Sequence, residues 1–168
     1  MNKPRRNLLK FAGVAGGLEA IQHLLGGSLG GSPAYATQTY EVTHSDAEWR
    51  ALLNPAQYKV LRKAGTEYPF SSPLNREKRA GEFVCAGCAL PLFSSETKFD
   101  SGTGWPSFWK PLENAIETHT DSTFGMTRVE VLCRRCGGHL GHVFKDGPPP
   151  TGLRYCMNGV AMVFKPKS

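Results

Sequence analysis

Two Cys-x-x-Cys turns constrain the fold of this chain more than any other feature of its sequence. They are Cys85 with Cys88 and Cys133 with Cys136, and each pair follows a segment of strand-like composition. Zinc in structural sites prefers four thiolate or imidazole ligands at tetrahedral corners, and one such turn supplies two sulfurs that face a common point. The spacing therefore predicts a structural zinc ion held by four cysteines from two distant parts of the chain.

The same four cysteines have two other uses that the pattern leaves open. Disulfides form in oxidising compartments, and a Cys-x-x-Cys pair can also be a thioredoxin-type redox centre. A redox pair of that type needs a strand–helix–strand setting, which neither turn has. We prefer the metal to disulfides because a closed four-thiolate site is the commonest use of two such turns.

Residues 1–36 have the pattern of an export signal. A basic start that contains Arg5-Arg6 precedes a mildly apolar middle, and Ala34-Tyr35-Ala36 is a small-x-small cleavage site. The arginine pair resembles a twin-arginine signal, and the middle is too polar and Gly-rich to span a membrane. We expect cleavage at Ala36, no stable membrane anchor, and export of the folded protein to the periplasm. The alternative is a disordered N-terminus of a cytosolic protein.

The net charge argues little for a nucleic-acid partner once this segment is set aside. The whole chain has 20 Lys and Arg against 14 Asp and Glu, a basic balance that suggests nucleic acid. Without the four basic residues and one acidic residue of 1–36, 16 basic and 13 acidic residues remain over 132 positions, a net charge of +3. Residues 37–168 have the length of one domain, which we expect to act as a monomer.

Two short helices are expected at the start of this domain. Ser45 and Glu48 form a capping-box pattern, so a helix should begin at Asp46 and stop before Pro55. Asn54 then caps a second helix with Pro55 at its first position and Gly65 as its terminator.

From Glu82 onward the composition predicts antiparallel sheet, because short β-branched and aromatic runs alternate with Gly, Pro, Asn and Asp. The predicted strands cover 82–85, 97–100, 115–120, 126–133, 142–145 and 154–164, with a break at Gly159. The fold class is therefore mainly β (α+β), with the helices outside the sheet.

Cys156 is the one cysteine without a partner in sequence. Alternation along an extended segment puts Arg154, Cys156 and Asn158 on one face. A nearby guanidinium favours the reactive thiolate, and an amide can orient the sulfur or a neighbouring oxygen. The alternative is a buried cysteine that acts as a small hydrophobic residue. The polar neighbours favour a nucleophile.

His139, His142 and Trp105 are further candidates. Four cysteines already complete a tetrahedral zinc site, so the histidines are expected to serve in hydrogen bonding or acid catalysis. A regular strand would point them to opposite faces, and only a bulge or turn at Gly141 would align them. Trp105 lies in a Gly-Trp-Pro turn suited to a small apolar pocket, although a core aromatic is the alternative.

Several stretches together resemble the B-type methionine sulfoxide reductases, which act on the R epimer of the sulfoxide. The similar stretches cover nearly all of the domain and include Cys85–Cys88, Asp100–Phe108, His139–Phe144 and Gly152–Asn158. The resemblance implies two antiparallel sheets with N-terminal helices, a structural zinc on the four paired cysteines, and no organic cofactor. Oxidised proteins or peptides would be the substrates.

The resemblance also implies roles for the site residues. Cys156 would attack the sulfoxide sulfur and become a sulfenic acid. Trp105 would cradle the methyl group, with Phe108 as a second substrate contact. Arg154 would adjust the reactivity of the thiol. The sulfoxide oxygen would be bound or protonated by three side chains, those of His139, His142 and Asn158.

One departure from the family concerns Thr103, where many members have a resolving cysteine. We therefore expect a one-cysteine cycle, in which an external thiol or a thioredoxin-like protein attacks the Cys156 sulfenic acid directly. Two rival classes remain. A zinc-ribbon binding module is suggested by the two turns and by Arg134-Arg135, and a periplasmic disulfide oxidoreductase by the Cys-x-x-Cys pairs.

Overall fold

Side-chain caps set the start of both helices in the computed structural model of this chain. Helix α1 spans Asp46–Leu52 and α2 spans Pro55–Lys63, and each begins with a complete capping box. In such a box the cap and the third helical residue satisfy each other's backbone N–H groups. Both predicted helices are confirmed. The C-cap of α2 is Ala64, one residue before the predicted terminator Gly65, and it takes the left-handed conformation with φ 48°.

The structure describes residues 39–121 and 127–168, which belong to the compact unit Gln38–Ser168. The predicted export signal, residues 1–36, lies outside the described residues. Among the described helices, none has the length and apolar character needed to cross a membrane.

The strands of the described residues form two antiparallel sheets, which confirms the predicted fold class. They are β1 Gly81–Cys85, β2 Pro91–Ser94, β3 Lys98–Phe99, β4 Ser107–Phe108, β5 Ile116–Asp121, β6 Arg128–Cys133, β7 His139–Phe144, β8 Arg154–Met157 and β9 Met162–Pro166. The first sheet has the order β2-β1-β9 and the second β3-β4-β8-β7-β6-β5. A short 3₁₀-helix, Gly159–Ala161, carries the chain from β8 in the second sheet to β9 in the first. Strands β2 and β4 were not predicted, because prolines beside them are turn signals in sequence.

Aromatic side chains from both sheets form the centre of the core. Phe83 on β1 and Phe93 on β2 contact Phe108 on β4, with ring centroids 4.9 and 4.4 Å apart. All three side chains are fully buried. Burial of one large apolar side chain contributes about 1.5–3 kcal/mol, so this contact ties the two sheets together.

The helices pack beside the second Cys-x-x-Cys turn. Trp49 of α1 and Leu61 of α2 are buried, and the Arg62 guanidinium lies 4.7 Å from the Trp49 ring centroid. The same guanidinium donates to the backbone carbonyl of Cys136 at 2.9 Å. The helical layer therefore supports the backbone that presents two of the four paired cysteines.

Candidate active site

Strand register brings four side chains that are distant in sequence onto one face of the second sheet. Cys156 on β8 lies opposite His142 on β7 and opposite Ser107 on β4, and His142 also lies opposite Glu130 on β6. Side chains of directly opposed residues share a face of the sheet, with Cβ atoms about 4.5–5.5 Å apart. The row is therefore Glu130, His142, Cys156 and Ser107.

The next residues along the strands point to the other face of the sheet. Phe108 lies opposite Tyr155 and stacks on Phe93 in the core. It is fully buried and does not line the cavity described below. The expected substrate contact of Phe108 is thus corrected by the structure, because alternation along β4 gives the site face to Ser107 and the core face to Phe108.

A chain of hydroxyl groups leads to the Cys156 thiol. Ser107 Oγ lies 2.7 Å from Ser101 Oγ, which lies 2.8 Å from Thr103 Oγ1. Thr103 Oγ1 is in turn 3.9 Å from Cys156 Sγ, within hydrogen-bonding range of sulfur. Sequence reasoning assigned no role to Ser101 or Ser107. Their only signal is their place in the same Gly-rich stretch as Trp105.

Burial dominates the acidity of the Cys156 thiol. It raises the pKa of Cys156 above its ordinary value of 9.0, while the Thr103 hydroxyl and the Arg154 guanidinium lower it and the Asp146 charge raises it. Arg154 therefore acts in the predicted direction, but desolvation of the thiolate outweighs it. The balance of these effects favours the thiol form of Cys156 over the thiolate.

Arg154 is held in place by partners on both sides. Its Nε and Nη2 donate to the two carboxylate oxygens of Asp146 at 2.9 and 2.8 Å. Its guanidinium also lies 4.5 Å from the ring centroid of Phe144, the residue opposite it on β7. The Asp146 hydrogen bonds raise the pKa of Arg154, so the cation beside Cys156 is permanent. Asp146 was not singled out from the sequence.

A bulge at β7 aligns the two histidines. Leu132 and Val131 of β6 pair with His139 and Gly141, so one residue of β7 has no partner in the ladder. The two imidazole rings consequently lie on one side, edge to face, with centroids 5.4 Å apart. A Cβ on Gly141 would lie 2.1 Å from the Cys156 carbonyl oxygen, so only glycine allows β7 and β8 this close approach.

The two histidines have different positions relative to the cavity. His142 lines it, whereas His139 is 4% exposed and lies behind His142. His139 Nδ1 is 2.6 Å from a carboxylate oxygen of Glu130, a contact that fixes the imidazole ring. Glu130 was missed from the sequence because its contact with His139 depends on the pairing of β6 with β7 and on the bulge, which brings His139 to the side of His142.

The backbone of Glu67 connects Trp105 to Asn158. The Trp105 indole N–H donates to the Glu67 carbonyl at 3.2 Å, and the Glu67 N–H donates to Asn158 Oδ1 at 3.0 Å. Asn158 Nδ2 donates to the Leu140 carbonyl at 3.0 Å. These bonds use the amide oxygen and one amide hydrogen of Asn158, so its second N–H is the donor that a substrate oxygen would have to meet.

The Glu67 carboxylate anchors this connection. It accepts hydrogen bonds from the backbone N–H groups of Gly159 and Val160 at 2.5 and 3.0 Å. Burial raises the pKa of Glu67, and these two bonds oppose the rise. Glu67 thus joins the loop before β1 to the segment that follows Cys156.

A cavity of about 140 Å³ opens at this face of the sheet. It is lined by Thr66, Trp105, Arg128, Gly141, His142, Phe144, Cys156 and Asn158. A thiol, an imidazole and an amide therefore converge beside one indole ring. Such a site suits a small neutral group that has an apolar end and an oxygen acceptor.

The four paired cysteines converge at a separate site. Their sulfurs all lie within 4.8 Å of one another, with 3.7 Å between the Sγ atoms of Cys85 and Cys136 and 3.5 Å between those of Cys88 and Cys133. A disulfide needs a separation of about 2.05 Å, and all five cysteines are free. Tetrahedral thiolates about 2.3 Å from a central ion lie about 3.8 Å apart, so this donor set fits a metal ion.

The chain is similar over most of its length to proteins of one family. The SelR domain matches residues 53–166. The peptide methionine sulfoxide reductase MsrB of Pseudomonas putida strain W619 is 61% identical over 122 residues, which are 71% of this chain and 91% of the relative. The protein of the same name from Agrobacterium fabrum is 57% identical over 127 residues, 75% of this chain and 94% of the relative. That from Leptospira interrogans is 51% identical, over 75% of this chain and 97% of the relative.

Proposed function

Because this chain belongs to the SelR domain family of B-type peptide methionine sulfoxide reductases, we propose that Cys156 is the nucleophile with which it reduces methionine R-sulfoxide. The chain is an oxidoreductase that acts on methionine sulfoxide in proteins. One observation carries the assignment of the nucleophile: of the five cysteines, all within the described residues, Cys156 is the one that lines the cavity beside His142 and Trp105.

The first half of the reaction transfers the sulfoxide oxygen to Cys156. The methyl group packs on Trp105, and the oxygen accepts hydrogen bonds from His142 and Asn158. The Cys156 thiolate attacks the sulfoxide sulfur and forms a sulfur–sulfur bond while a proton is delivered to the oxygen. The protonated oxygen then moves to the Cys156 sulfur, and both the sulfur–oxygen bond of the substrate and the new sulfur–sulfur bond break. Methionine leaves, and Cys156 has gained the oxygen as a sulfenic acid. The substrate sulfur is reduced by two electrons and the Cys156 sulfur is oxidised by two.

His139 and Arg154 support this step without lining the cavity. His139, fixed by Glu130, packs against His142 and keeps that imidazole directed at the oxygen. Arg154 offsets part of the cost of forming a thiolate in a buried position. Burial of the thiol suits this reaction, because the reactive thiolate then forms only when substrate is bound and is protected from oxidants in the solvent.

The second half of the reaction depends on an external thiol. Thr103 has its hydroxyl 3.9 Å from the Cys156 sulfur, and a threonine at this place cannot form a disulfide with it. A thiol of a small molecule or of a thioredoxin-like protein attacks the sulfenic sulfur and releases water. A second thiol then reduces the mixed disulfide and restores Cys156. We propose the monomer as the working unit.

We assign structural zinc to the four-cysteine site. Four thiolates with no open position suit a structural zinc ion, which would tie the turn after β1 to the turn after β6. Arg134 and Arg135, which suggested a binding module, donate instead to the backbone carbonyls of Asn114 and Cys88. They stabilise the turns.

The proposed location is the periplasm, with 37–168 as the domain left after cleavage of the signal. About three quarters of this chain aligns with more than nine-tenths of each relative. The N-terminal segment is therefore additional to the family domain. Fractionation of cells that produce the full chain tests this location. An Arg5→Lys, Arg6→Lys double variant should stay in the cytoplasm, because a twin-arginine route requires the pair.

Two measurements test the proposed reaction. The purified protein is offered a short peptide with either the R or the S sulfoxide, with dithiothreitol as reductant, and turnover of R alone is expected. Turnover of S but not R would contradict the assignment. For the one-cysteine cycle, mass spectrometry after alkylation should find no intramolecular disulfide during turnover in the natural chain, whereas Thr103→Cys should form one with Cys156.

A further inference from the structure

A second and larger cavity, of about 790 Å³, adjoins the catalytic one. We call it the β9 groove; helix α2, the loop from Thr66 to Leu74, Gly159, Val160 and strand β9 form its walls. Thr66 lines both cavities. The groove wall also continues directly from the catalytic strand, since two of its residues follow Asn158 in the chain.

The walls of the groove are largely apolar. Val60, Leu74, Val160 and Val163 line it, and Tyr68 stands at its mouth with 85% of its surface exposed. The charged residues that line it have both signs; they are Lys59, Glu67, Glu77 and Arg79, of which Arg79 and Glu77 form an ion pair. The groove therefore selects for apolar contact without a preference for one charge.

Strand β9 is an edge of the first sheet among the described residues, because it pairs with β1 alone. Hydrogen bonds from Ala86 to the Ala161 carbonyl and from Lys167 to the Ala80 carbonyl continue the β1–β9 register beyond both ends of the strands. The direction of the backbone hydrogen bonds alternates along an antiparallel strand. The backbone N–H and carbonyl groups of Val163 and Lys165 therefore point toward β1, and those of Met162 and Phe164 point away from it.

Three backbone groups at this edge are thus directed away from β1. They are the carbonyl of Met162 and both the N–H and the carbonyl of Phe164, since the N–H of Met162 bonds to the Gly159 carbonyl. Pro166 has no N–H and ends the edge. The edge therefore has two acceptors and one donor, enough to align two or three residues of another extended chain.

We propose that the β9 groove binds the extended segment of an oxidised protein beside its methionine sulfoxide, as an added strand on β9. This inference rests on the proposed function, because it places the sulfoxide at Cys156 and follows the substrate chain past Thr66 into the groove. Oxidised methionines occur in every sequence context, so recognition needs features that all substrates share. Backbone hydrogen bonds at a sheet edge, with apolar contact to side chains, supply such recognition.

The occupant must be extended and locally unfolded. A native helix would satisfy its own backbone groups and present none to β9. The groove would thus direct the enzyme to methionines exposed by unfolding, and it would raise the affinity for peptides over free methionine sulfoxide.

A backbone-methylation scan tests the added strand directly. A peptide with a central R-sulfoxide and apolar flanks is prepared with one N-methylated amide at a time. The acceptors at Met162 and Phe164 require two donor amides two residues apart, whichever direction the added strand runs. We expect kcat/KM to fall about tenfold at those two amides, on one side of the sulfoxide, and little at the amide between them. Equal effects at all amides, or none, would overturn the proposal.

A pair of variants tests the groove wall. Val163→Lys places a charge in the groove, and Leu52→Lys is the matched control, because Leu52 on α1 is 60% exposed and lies outside the groove. We compare kcat/KM for the peptide with kcat/KM for N-acetylmethionine R-sulfoxide. The ratio should fall about fivefold in Val163→Lys and stay constant in Leu52→Lys. A ratio unchanged in both variants would contradict groove binding.

The two substrates separate the two proposals. If the enzyme reduces N-acetylmethionine R-sulfoxide and gains nothing from longer peptides, the groove proposal fails and the reductase assignment stands. If neither substrate is reduced, the reductase assignment itself fails. The ratio is also independent of any loss of folded protein, because such a loss lowers the two kcat/KM values equally.

Discussion

The four-cysteine site and the Cys156 cavity use the same thiol group in two different environments. Each paired cysteine has three other sulfurs within 4.8 Å, whereas the polar partners of Cys156 include the Thr103 hydroxyl, at 3.9 Å, and the Arg154 guanidinium. Clustered thiols can all become thiolates only if a cation neutralises them. A single buried thiol with one cation nearby can be ionised alone and react.

The difference teaches that the neighbours of a cysteine decide its function. Loss of one paired cysteine should damage folding and, through folding, activity. Loss of Cys156 should damage chemistry alone. Four experiments, taken from the largest expected effect to the smallest, test this separation.

Replacement of Cys156, the proposed nucleophile, should have the largest effect on turnover. Cys156→Ser is expected to lower turnover of a sulfoxide peptide by more than about a thousandfold, because a serine hydroxyl is not ionised at neutral pH and cannot accept the oxygen as a sulfenic acid. Zinc content and the thermal midpoint should match those of the natural chain. Substantial residual turnover would mean that another group attacks the sulfoxide.

Replacement of Cys136, a proposed metal ligand, should reverse this pattern. Cys136→Ser removes one of four thiolates at a position that is 2% exposed. We expect loss of bound zinc and a thermal midpoint lower by about 10 °C or more, since 1 kcal/mol corresponds to roughly 4 °C in a domain of this size. Metal analysis and calorimetry measure both, with Cys156→Ser as the metal-replete control. Unchanged metal content would contradict the four-cysteine site.

Glu130→Gln should weaken the support of the histidines. The substitution removes the charged partner of His139 Nδ1 while keeping the shape of the side chain. We expect kcat to fall about tenfold, with a smaller change in KM, because one charge-assisted hydrogen bond is lost. Glu117→Gln on β5 is the control, because the Glu117 carboxylate lies 3.9 Å from His119 Nε2. Equal effects in the two variants would argue for a general role of charge on this sheet.

Arg154→Gln should have the smallest effect, on the acidity of the thiol. Burial already raises the pKa of Cys156 above 9.0, and Arg154 opposes that rise, so its removal raises the pKa further. The thiolate fraction at pH 8 then falls, and the rate of Cys156 alkylation should fall about threefold at that pH. In both proteins the rate should keep increasing as pH rises through 9. Faster alkylation in the variant would contradict this role; Arg50→Gln on α1 is the control.

Much of this molecule was determined by the sequence alone, where the signal lies within a few neighbouring residues. Both capping boxes place their helices to within a residue, because a cap and its partner lie three positions apart. The two Cys-x-x-Cys turns indicate a four-cysteine cluster, because each turn presents its own pair of sulfurs. The excess of one cysteine over two pairs directs attention to Cys156.

Only the tertiary structure decided which distant residues share the cavity. The pairing of β6, β7, β8 and β4 creates the row from Glu130 to Ser107, and the bulge at β7 brings His139 beside His142. A shift of one residue in any of these pairings would move a side chain to the other face, and Phe108 shows the consequence, since it faces the core. Register depends on the packing of whole sheets, so no local pattern of residues contains it.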